Sequence, residues 1–311
     1  MKSFNILFKM QFDHYRQDIV TITYGWTLTF LTLFIWLTFK QTNPNAFAYD
    51  PFVLASAIGV GTIRNCIHAT TRILFNYKNQ GFLNKIYSTP ISKWNFLASI
   101  ILFNVLINFI ITTLLFTTAM LYADQRNNLN DVNWGMFLIG YLMLVITCIL
   151  FSFLIVEYVK TNDKASFWSN VFFYTCVWFL GLGVPISEIS QYEFFTYLTY
   201  LFPQKYAINI MQAGWIGATD FQIGIVDGGA NFGYGIYVFL PYLLGSIVIF
   251  TTLTWLVMLN YKKRINAIKS TSNNIEISNA YKRIELIKKI NNLEELNQLI
   301  ENNKTPNNGG S

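Results

Sequence analysis

Charged residues are scarce in this sequence. Only 12% of its 311 residues are Asp, Glu, Lys or Arg, whereas about 25% is usual in a soluble domain. Hydrophobic residues make up 53% of the chain. This balance excludes a typical cytoplasmic enzyme.

Cysteine and histidine are also rare. The three cysteines, Cys66, Cys148 and Cys176, are far apart and form no CxxC pair, so neither a disulfide framework nor a zinc site is indicated. The two histidines, His14 and His68, are too few and too distant for a metal-ligand set. We therefore expect no metal site.

Nucleotide-binding and hydrolase motifs are absent. The sequence contains no G-x-x-x-x-G-K-[ST], H-E-x-x-H, G-x-S-x-G or G-x-G-x-x-G, which mark phosphate loops, zinc proteases, serine hydrolases and dinucleotide folds. We therefore expect no catalytic residues and no cofactor bound by this chain. Any ATP on which the protein depends must be hydrolysed by another chain.

Long uncharged stretches are what the sequence does contain. Each of five reaches the roughly 20 residues that cross a hydrocarbon core of about 30 Å; they are Ile19–Phe39, Trp94–Ala123, Val132–Val156, Ala165–Ser187 and Gly228–Tyr261. A sixth apolar segment begins at Pro51, is interrupted by Arg64 and ends at about Phe75. The sequence predicts an all-α integral membrane protein with six transmembrane helices in residues 18–264.

The positive charges predict how these spans are oriented. With six spans, nineteen Lys and Arg fall on the side that holds both termini, and three fall on the other side. Without the long tail the count is ten against three. Because cytoplasmic loops carry an excess of Lys and Arg, both termini are predicted to be cytoplasmic. Topology accounts for most of the net charge of +6, so no nucleic-acid partner follows from it.

Two further segments flank the membrane domain. Residues 1–17 place their large apolar side chains on one helical stripe, which predicts an amphipathic helix in the cytoplasmic interface. Residues 265–311 form a cytoplasmic tail with an amphipathic helix at about 279–301. The apolar stripe of that helix is expected to bind another helix, either its twin or a partner protein.

The outer connection before the last span, at about residues 185–217, is unusually apolar. It is too hydrophobic for a solvated loop, and Pro203 divides it into two short helical pieces. A re-entrant or interfacial hairpin therefore fits it better than another span does.

Ionisable residues mark the second span. Each costs on the order of a few kcal/mol in a bilayer unless it faces protein or water. Arg64, His68 and Arg72 recur every four residues and so share one helical face, next to Asn65. This predicts a polar stripe along a cavity open to the cytoplasm, with Glu157 of the fourth span as a candidate partner for one arginine. The alternatives are arginines that snorkel to the interface and a Glu157 that is an ordinary interfacial charge.

The cytoplasmic connection between the second and third spans covers residues 76–93. Its middle, Gly81–Tyr87, has helical spacing, and Thr89-Pro90 follows. Because proline disfavours helical geometry in the preceding residue, Pro90 prevents this helix from running on into the third span. A short separate helix is predicted, with a solvated loop helix as the bland alternative.

These features in this order resemble a known family. The outer part also contains Pro185-Ile186-Ser187 and Pro203-Gln204-Lys205-Tyr206. Over residues 1–264 the sequence resembles the permease subunit of type-2 ATP-binding-cassette (ABC) exporters. In that family a Gly and a Thr-Pro mark the connection, and Pro-hydrophobic-Ser and Pro-x-x-Tyr mark the outer part.

The resemblance implies a function and a set of partners. It implies a permease subunit that moves a peptide, a lipid or a lipophilic drug out of the cytoplasm. Two such subunits, identical or sisters, would enclose the path, while separate ABC ATPase subunits bind ATP and Mg²⁺. The expected partners are thus ABC ATPase subunits, a second permease subunit and membrane lipid. The expected location is the plasma membrane of a bacterium.

The resemblance also assigns the connection to ATPase coupling. Its short helix would insert Phe82, Leu83 and Ile86 into a groove of the ATPase, and Lys85 would fix the register. The residues expected to couple are Gly81, Phe82, Leu83, Lys85, Ile86, Tyr87, Thr89 and Pro90. The sequence departs from the family by having Lys78-Asn79-Gln80 before the glycine, where acidic residues are usual.

The alternative function is an ATP-independent membrane carrier, or a scaffold whose tail recruits partners. Carriers of this kind usually contain internal repeats. Residues 19–123 and 132–261 show no repeat, which favours the permease.

Overall fold

The structure, a computed structural model, describes residues 2–42, 52–82, 93–184, 189, 192–221 and 232–262. Within these ranges all regular secondary structure is helical. The helices are α1 (Lys2–Gln17), α2 (Ile19–Thr42), α3 (Val53–Ile63), α4 (Thr70–Asn79), α5 (Lys93–Ala119), α6 (Ala123–Asn127), α7 (Trp134–Tyr158), α8 (Asn162–Phe179), α9 (Glu193–Thr199), α10 (Gln204–Trp215) and α11 (Leu240–Lys262). A π-helical turn, Arg64–Ala69, joins α3 to α4.

Several predicted features lie outside the described residues. They are the tail helix at about 279–301, the stretch Leu83–Pro90 of the cytoplasmic connection, and the turn Pro185-Ile186-Ser187. The chain divides into two compact units, Met1–Thr254 and Trp255–Ser311. The packing described below is that of the first unit.

Three described helices are long and apolar enough to cross a membrane. They are Asn95–Ala119 within α5, Trp134–Tyr158 and Leu240–Lys262, and α2 contains a shorter apolar helix, Gly25–Thr38. The protein is therefore a multi-pass helical membrane protein. The number of six spans stays a prediction, because α8 has only 18 residues with Asp163 and Lys164 in its first turn, and the π-helical turn divides the second expected span.

A central helix organises the first unit. The segments α3, the π-helical turn and α4 follow one another without a gap from Val53 to Asn79. They pack against α2, α5, α7, α8 and α10, and every residue of α3 is buried. Small residues such as Ser56, Gly59 and Gly61 let these neighbours approach closely, as is usual in helical membrane proteins. This helix is the second predicted span.

The helix α10 is buried along its whole length against α7. All twelve of its residues are buried. The two helices run antiparallel, because Gly214 lies beside Phe137 whereas Met211 lies beside Gly140, further along α7. At both glycines a Cβ atom would come within 2.4 Å of a backbone nitrogen of the other helix. The two backbones are thus in direct contact.

The amphipathic helix α1 packs along α5. Its buried side chains, Leu7, Gln11 and Tyr15, recur every four residues, whereas Ile6 and Phe12 are exposed. Tyr15 contacts Phe103 of α5 at 5.6 Å between ring centroids. The apolar stripe seen in the sequence is therefore covered in part by the chain itself.

Candidate functional site

The basic residues of the central helix lie on its least buried side. Among residues 53–75, the positions that are not buried are Arg64, His68, Arg72 and Ile73. The four-residue spacing predicts that the three basic side chains share one helical face. That face is the one that the rest of the described chain covers least. The described residues do not close over this stripe.

Arg64 contacts α8. Its Nη1 donates a hydrogen bond to Asn170 Oδ1 at 3.3 Å, and its guanidinium lies 5.3 Å from the centroid of the Phe173 ring. A flat, delocalised cation suits both an amide oxygen and an aromatic face. Neither partner was identified from the sequence, because an Asn and a Phe in an apolar helix give no signal on their own.

Arg72 forms an ion pair with Asp18 at 3.3 Å. Asp18 lies between α1 and α2, and both side chains are half-buried. His68 lies between the two arginines and interacts electrostatically with both. The Asp18 carboxylate at the α1–α2 junction therefore balances one end of the stripe. The only sign of this pair in the sequence is weak: Asp18 directly precedes an uncharged span.

Asn65 faces α2 and is 2% exposed. Neither its Oδ1 nor its Nδ2 has a hydrogen-bond partner among the described residues, and Oδ1 lies next to Gly25 of α2. Asn65 therefore does not share the half-exposed stripe with Arg64 and His68. Glu157 lies in the last turn of α7, where it is half-buried.

The π-helical turn is held by α7. The Ser152 hydroxyl lies within hydrogen-bond distance of the carbonyls of Cys66, Ile67 and Cys148. On the other side of the turn, the Thr70 hydroxyl donates to Asn104 Oδ1 of α5 at 2.7 Å. π-helical turns are rare in proteins, but those that occur often lie at functional sites. Here the turn coincides with the start of the basic stripe.

The connection between the central helix and α5 begins immediately after α4. The helix ends at Asn79, and Gly81 has a φ of +64°, which a side-chain-bearing residue rarely adopts. Phe82 then packs its ring against Tyr77 and Phe96, at centroid distances of 5.0 and 6.1 Å. Phe82 was predicted to enter a partner's groove, but its ring is already half-buried against its own chain.

Tyr77 links this connection to α1. It is buried, and its hydroxyl donates to Gln11 Oε1 at 3.1 Å. Its ring also makes an edge contact with His14 at 5.5 Å. The start of the connection therefore rests on the amphipathic helix as well as on α4.

The segment predicted as an outer hairpin contains a buried cation, Lys205, which the sequence prediction counted only as a loop charge. Lys205 is 4% exposed, its ammonium donates to Thr199 Oγ1, and it lies 3.9 Å from the centroid of the Tyr200 ring. Burial lowers the pKa of Lys205 from 10.5 to about 7. The Tyr234 ring lies 5.8 Å away on the chain that leads into α11. Lys205 thus joins α10 to its aromatic surroundings.

The arrangement offers binding and mechanical elements. Among the residues that the structure describes, no group of three or more His, Cys, Asp and Glu side chains could hold a metal ion. The stripe presents cationic and polar groups at an open helix face, and the connection joins the central helix to α5 through Gly81. Such an arrangement can bind a solute and transmit a displacement.

Comparison with protein families gives a match that covers most of the described helices. Residues 3–215, more than half of the chain, match the family described as ABC-2 type transporter. No curated protein and no solved structure matches the chain. The matched range contains α1 to α10 and therefore includes the basic stripe, the start of the connection and Lys205.

Proposed function

The chain belongs to the family of ABC-2 type transporters, and from this premise we propose what its parts do. Membership makes the chain the permease component of an ABC transporter and implies an ABC ATPase as its partner. We propose that it moves a peptide, a lipid or a lipophilic drug out of the cytoplasm. The energy comes from ATP hydrolysed on the separate ATPase subunit, which holds the ATP and Mg²⁺.

The family match over residues 3–215 is the single observation that carries this proposal. It favours the transporter over an ATP-independent carrier or scaffold, because membership implies an ATPase. The course of the chain supports the assignment of the parts. The central helix, which packs against α2, α5, α7, α8 and α10, passes directly into the connection at Gly81, so a force on the connection acts on that helix.

We assign the connection to ATPase coupling and the open face of the central helix to the path. Gly81–Tyr87 would enter a groove of the ATPase, with Thr89-Pro90 ending the helix. Arg64 and His68 would line the cytoplasmic half of the path, with Asn65 and Glu157 nearby. Their half-exposed position supports this role for the first two, whereas Asn65 would need a rotation of the helix to reach the path.

A second permease subunit, identical or a sister, would complete the path. The basic stripe is open in the single described chain, and cationic side chains left against lipid would be costly. A second subunit facing the stripe would enclose it in a polar path. The location of such a complex is the plasma membrane, with both termini in the cytoplasm.

The test replaces apolar residues of the connection and compares them with a charged neighbour. Burial contributes roughly 1.5–3 kcal/mol per large apolar side chain, whereas an exposed ion pair adds at most about 1 kcal/mol. Leu83→Ala with Ile86→Ala should therefore release the ATPase or abolish stimulated ATP hydrolysis, while Lys85→Ala has a mild effect. Phe82 is left intact because its ring also packs against Tyr77. Normal ATP hydrolysis in the double variant would contradict the assignment.

A further inference from the structure

Lys78 binds the end of a neighbouring helix. Its ammonium Nζ donates to the carbonyl of Val156 at 2.5 Å and to that of Val159 at 2.9 Å. The helix α7 ends at Tyr158, and Val159 is extended. The Val156 carbonyl is one of the last four of the helix and has no amide donor from a following turn. One ammonium therefore satisfies two carbonyls and meets the negative end of the helix dipole.

A second link joins the same two helices, four residues before Val156 on α7 and twelve residues before Lys78 on the central helix. The Ser152 hydroxyl of α7 donates to the Cys66 carbonyl of the π-helical turn. Both links connect α7 to the central helix, and each uses a backbone carbonyl as acceptor. Two such links along one pair of helices oppose both sliding and separation.

The position of Lys78 gives this link its consequence. It lies one residue before the end of α4, and Gly81 with its positive φ begins the connection three residues after it. Lys78 is thus close to the point at which the connection leaves the central helix. A displacement of the connection would reach α4 through the chain and α7 through this ammonium.

We propose that Lys78 is a positioning residue that fastens the inner ends of α4 and α7, so that the two helices move as one body when the connection is displaced. The movement part rests on the proposed function, because it requires an ATPase acting on Gly81–Tyr87. The fastening part does not.

The experiment measures spin-label distances in the full chain with Cys66, Cys148 and Cys176 replaced by alanine. Labels at Asn79→Cys and Tyr158→Cys, both exposed positions, report the separation of the inner ends of α4 and α7. The variants compared are Lys78→Met, which keeps the stem and removes the donors, and Lys78→Arg, which restores them. Lys160→Met is the matched control, because Lys160 is an exposed cation next to the same helix end.

Without nucleotide, Lys78→Met should increase both the mean and the width of the distance distribution between labels at positions 79 and 158. Lys78→Arg and Lys160→Met should leave the distribution narrow. Equal widths in all four proteins would overturn the fastening. With the ATPase bound, ATP should leave this distance unchanged in the unsubstituted protein and change it in Lys78→Met. An equal ATP-dependent change in both would overturn the movement of α4 and α7 as one body.

Failure of the proposed function looks different. A second pair, Asn79→Cys with Ala98→Cys on α5, reports movement across the connection. If no pair in the unsubstituted complex responds to ATP, the coupling assignment and the movement part fail together, while the widths without nucleotide still decide the fastening. If the Lys78→Met protein does not insert into the membrane, amine labelling of the unsubstituted chain tests the fastening instead. Lys78 should then react several-fold more slowly than Lys160, and equal rates would overturn the proposal.

Discussion

The Ser152 hydroxyl donates a hydrogen bond to the Cys66 carbonyl, and this contact holds α7 against the π-helical turn of the central helix. Both residues are buried. The turn would otherwise present a backbone acceptor to an apolar interior, where an unsatisfied polar group is costly. The irregular turn is thus stabilised by a side chain from a different helix.

Ser152→Ala should lower the thermal stability of the purified protein. The substitution removes the only donor that α7 offers to Cys66 in the described contacts, and a buried acceptor left without a partner costs about 1–3 kcal/mol. Ser169→Ala is the control, because the Ser169 hydroxyl is also buried but bonds within α8 to the Ala165 carbonyl. The unfolding temperature in detergent should fall further for Ser152→Ala, and equal shifts would contradict the role given to this contact.

Gly214→Ala should separate α10 from α7. A Cβ atom at this position would lie 2.4 Å from the Phe137 backbone nitrogen, and neither backbone can move without disturbing its helix. Overpacking of this kind costs typically about 1–3 kcal/mol. Gly135→Ala in the first turn of α7 is the matched control, since a Cβ atom there would lie 3.5 Å from Asn133 Oδ1, at ordinary van der Waals distance. Thermal unfolding compares the two, and a Gly135→Ala protein as unstable as Gly214→Ala would argue against the close approach.

The outer hairpin should become more stable as the pH rises. Burial holds the pKa of Lys205 at about 7 in the folded protein, against 10.5 in a solvated lysine. Between these values the unfolded chain binds more protons than the folded one, so the free energy of unfolding increases with pH. The cost of burying the charge is present in full below about pH 7 and is relieved as the pH rises toward 10.5.

The unfolding temperature of the unsubstituted protein should therefore increase between about pH 6 and about pH 9. Lys205→Met, which keeps the apolar stem without the charge, should remove most of this increase. The Tyr200, Tyr206 and Tyr234 hydroxyls near Lys205 have raised pKa values because of burial, so they stay neutral over this range. A pH dependence that is the same in both proteins would show that Lys205 is not its source.

A cysteine at position 68 should be accessible from the cytoplasmic side. In a chain without its native cysteines, His68→Cys should react with a membrane-impermeant thiol reagent, because His68 lies on the half-exposed stripe. Ala69→Cys is the control, since Ala69 is buried on the adjacent face. Protection of position 68 in every nucleotide state would mean that the stripe is packed against protein or lipid and does not line a path.

The sequence predicted the helical class and the multi-pass character because both depend on long apolar runs, which need no knowledge of neighbours. It also predicted that Arg64, His68 and Arg72 share a face, because a four-residue spacing survives even through the π-helical turn. It could not predict the turn itself. That irregularity depends on Ser152 and Thr70, whose hydroxyls look like ordinary filler in apolar segments.

Contacts between distant segments were the main omission. The hydrogen bond from Lys78 to Val156 joins residues that are 78 positions apart in the sequence, and the bond from Arg64 to Asn170 joins residues 106 positions apart. No local sequence pattern marks either bond. Lys205 was missed for a related reason: a single lysine in an outer loop is usually solvated, and only the packing of Tyr200 and Tyr234 around it shows its burial. The packing of Phe82 against Tyr77 and Phe96 was not predicted either, because these contacts are tertiary.

The measurement that tests the account most directly is site-specific photocrosslinking from the connection. A photoreactive amino acid at position 86 should form an adduct between this chain and an ATP-binding subunit in native membranes. The control is the same amino acid at Leu121, which is exposed near the other end of α5. The account predicts the ATPase adduct at position 86 and none at position 121. Adducts with lipid alone, or an ATPase adduct at position 121 instead, would contradict a permease driven through Gly81–Tyr87.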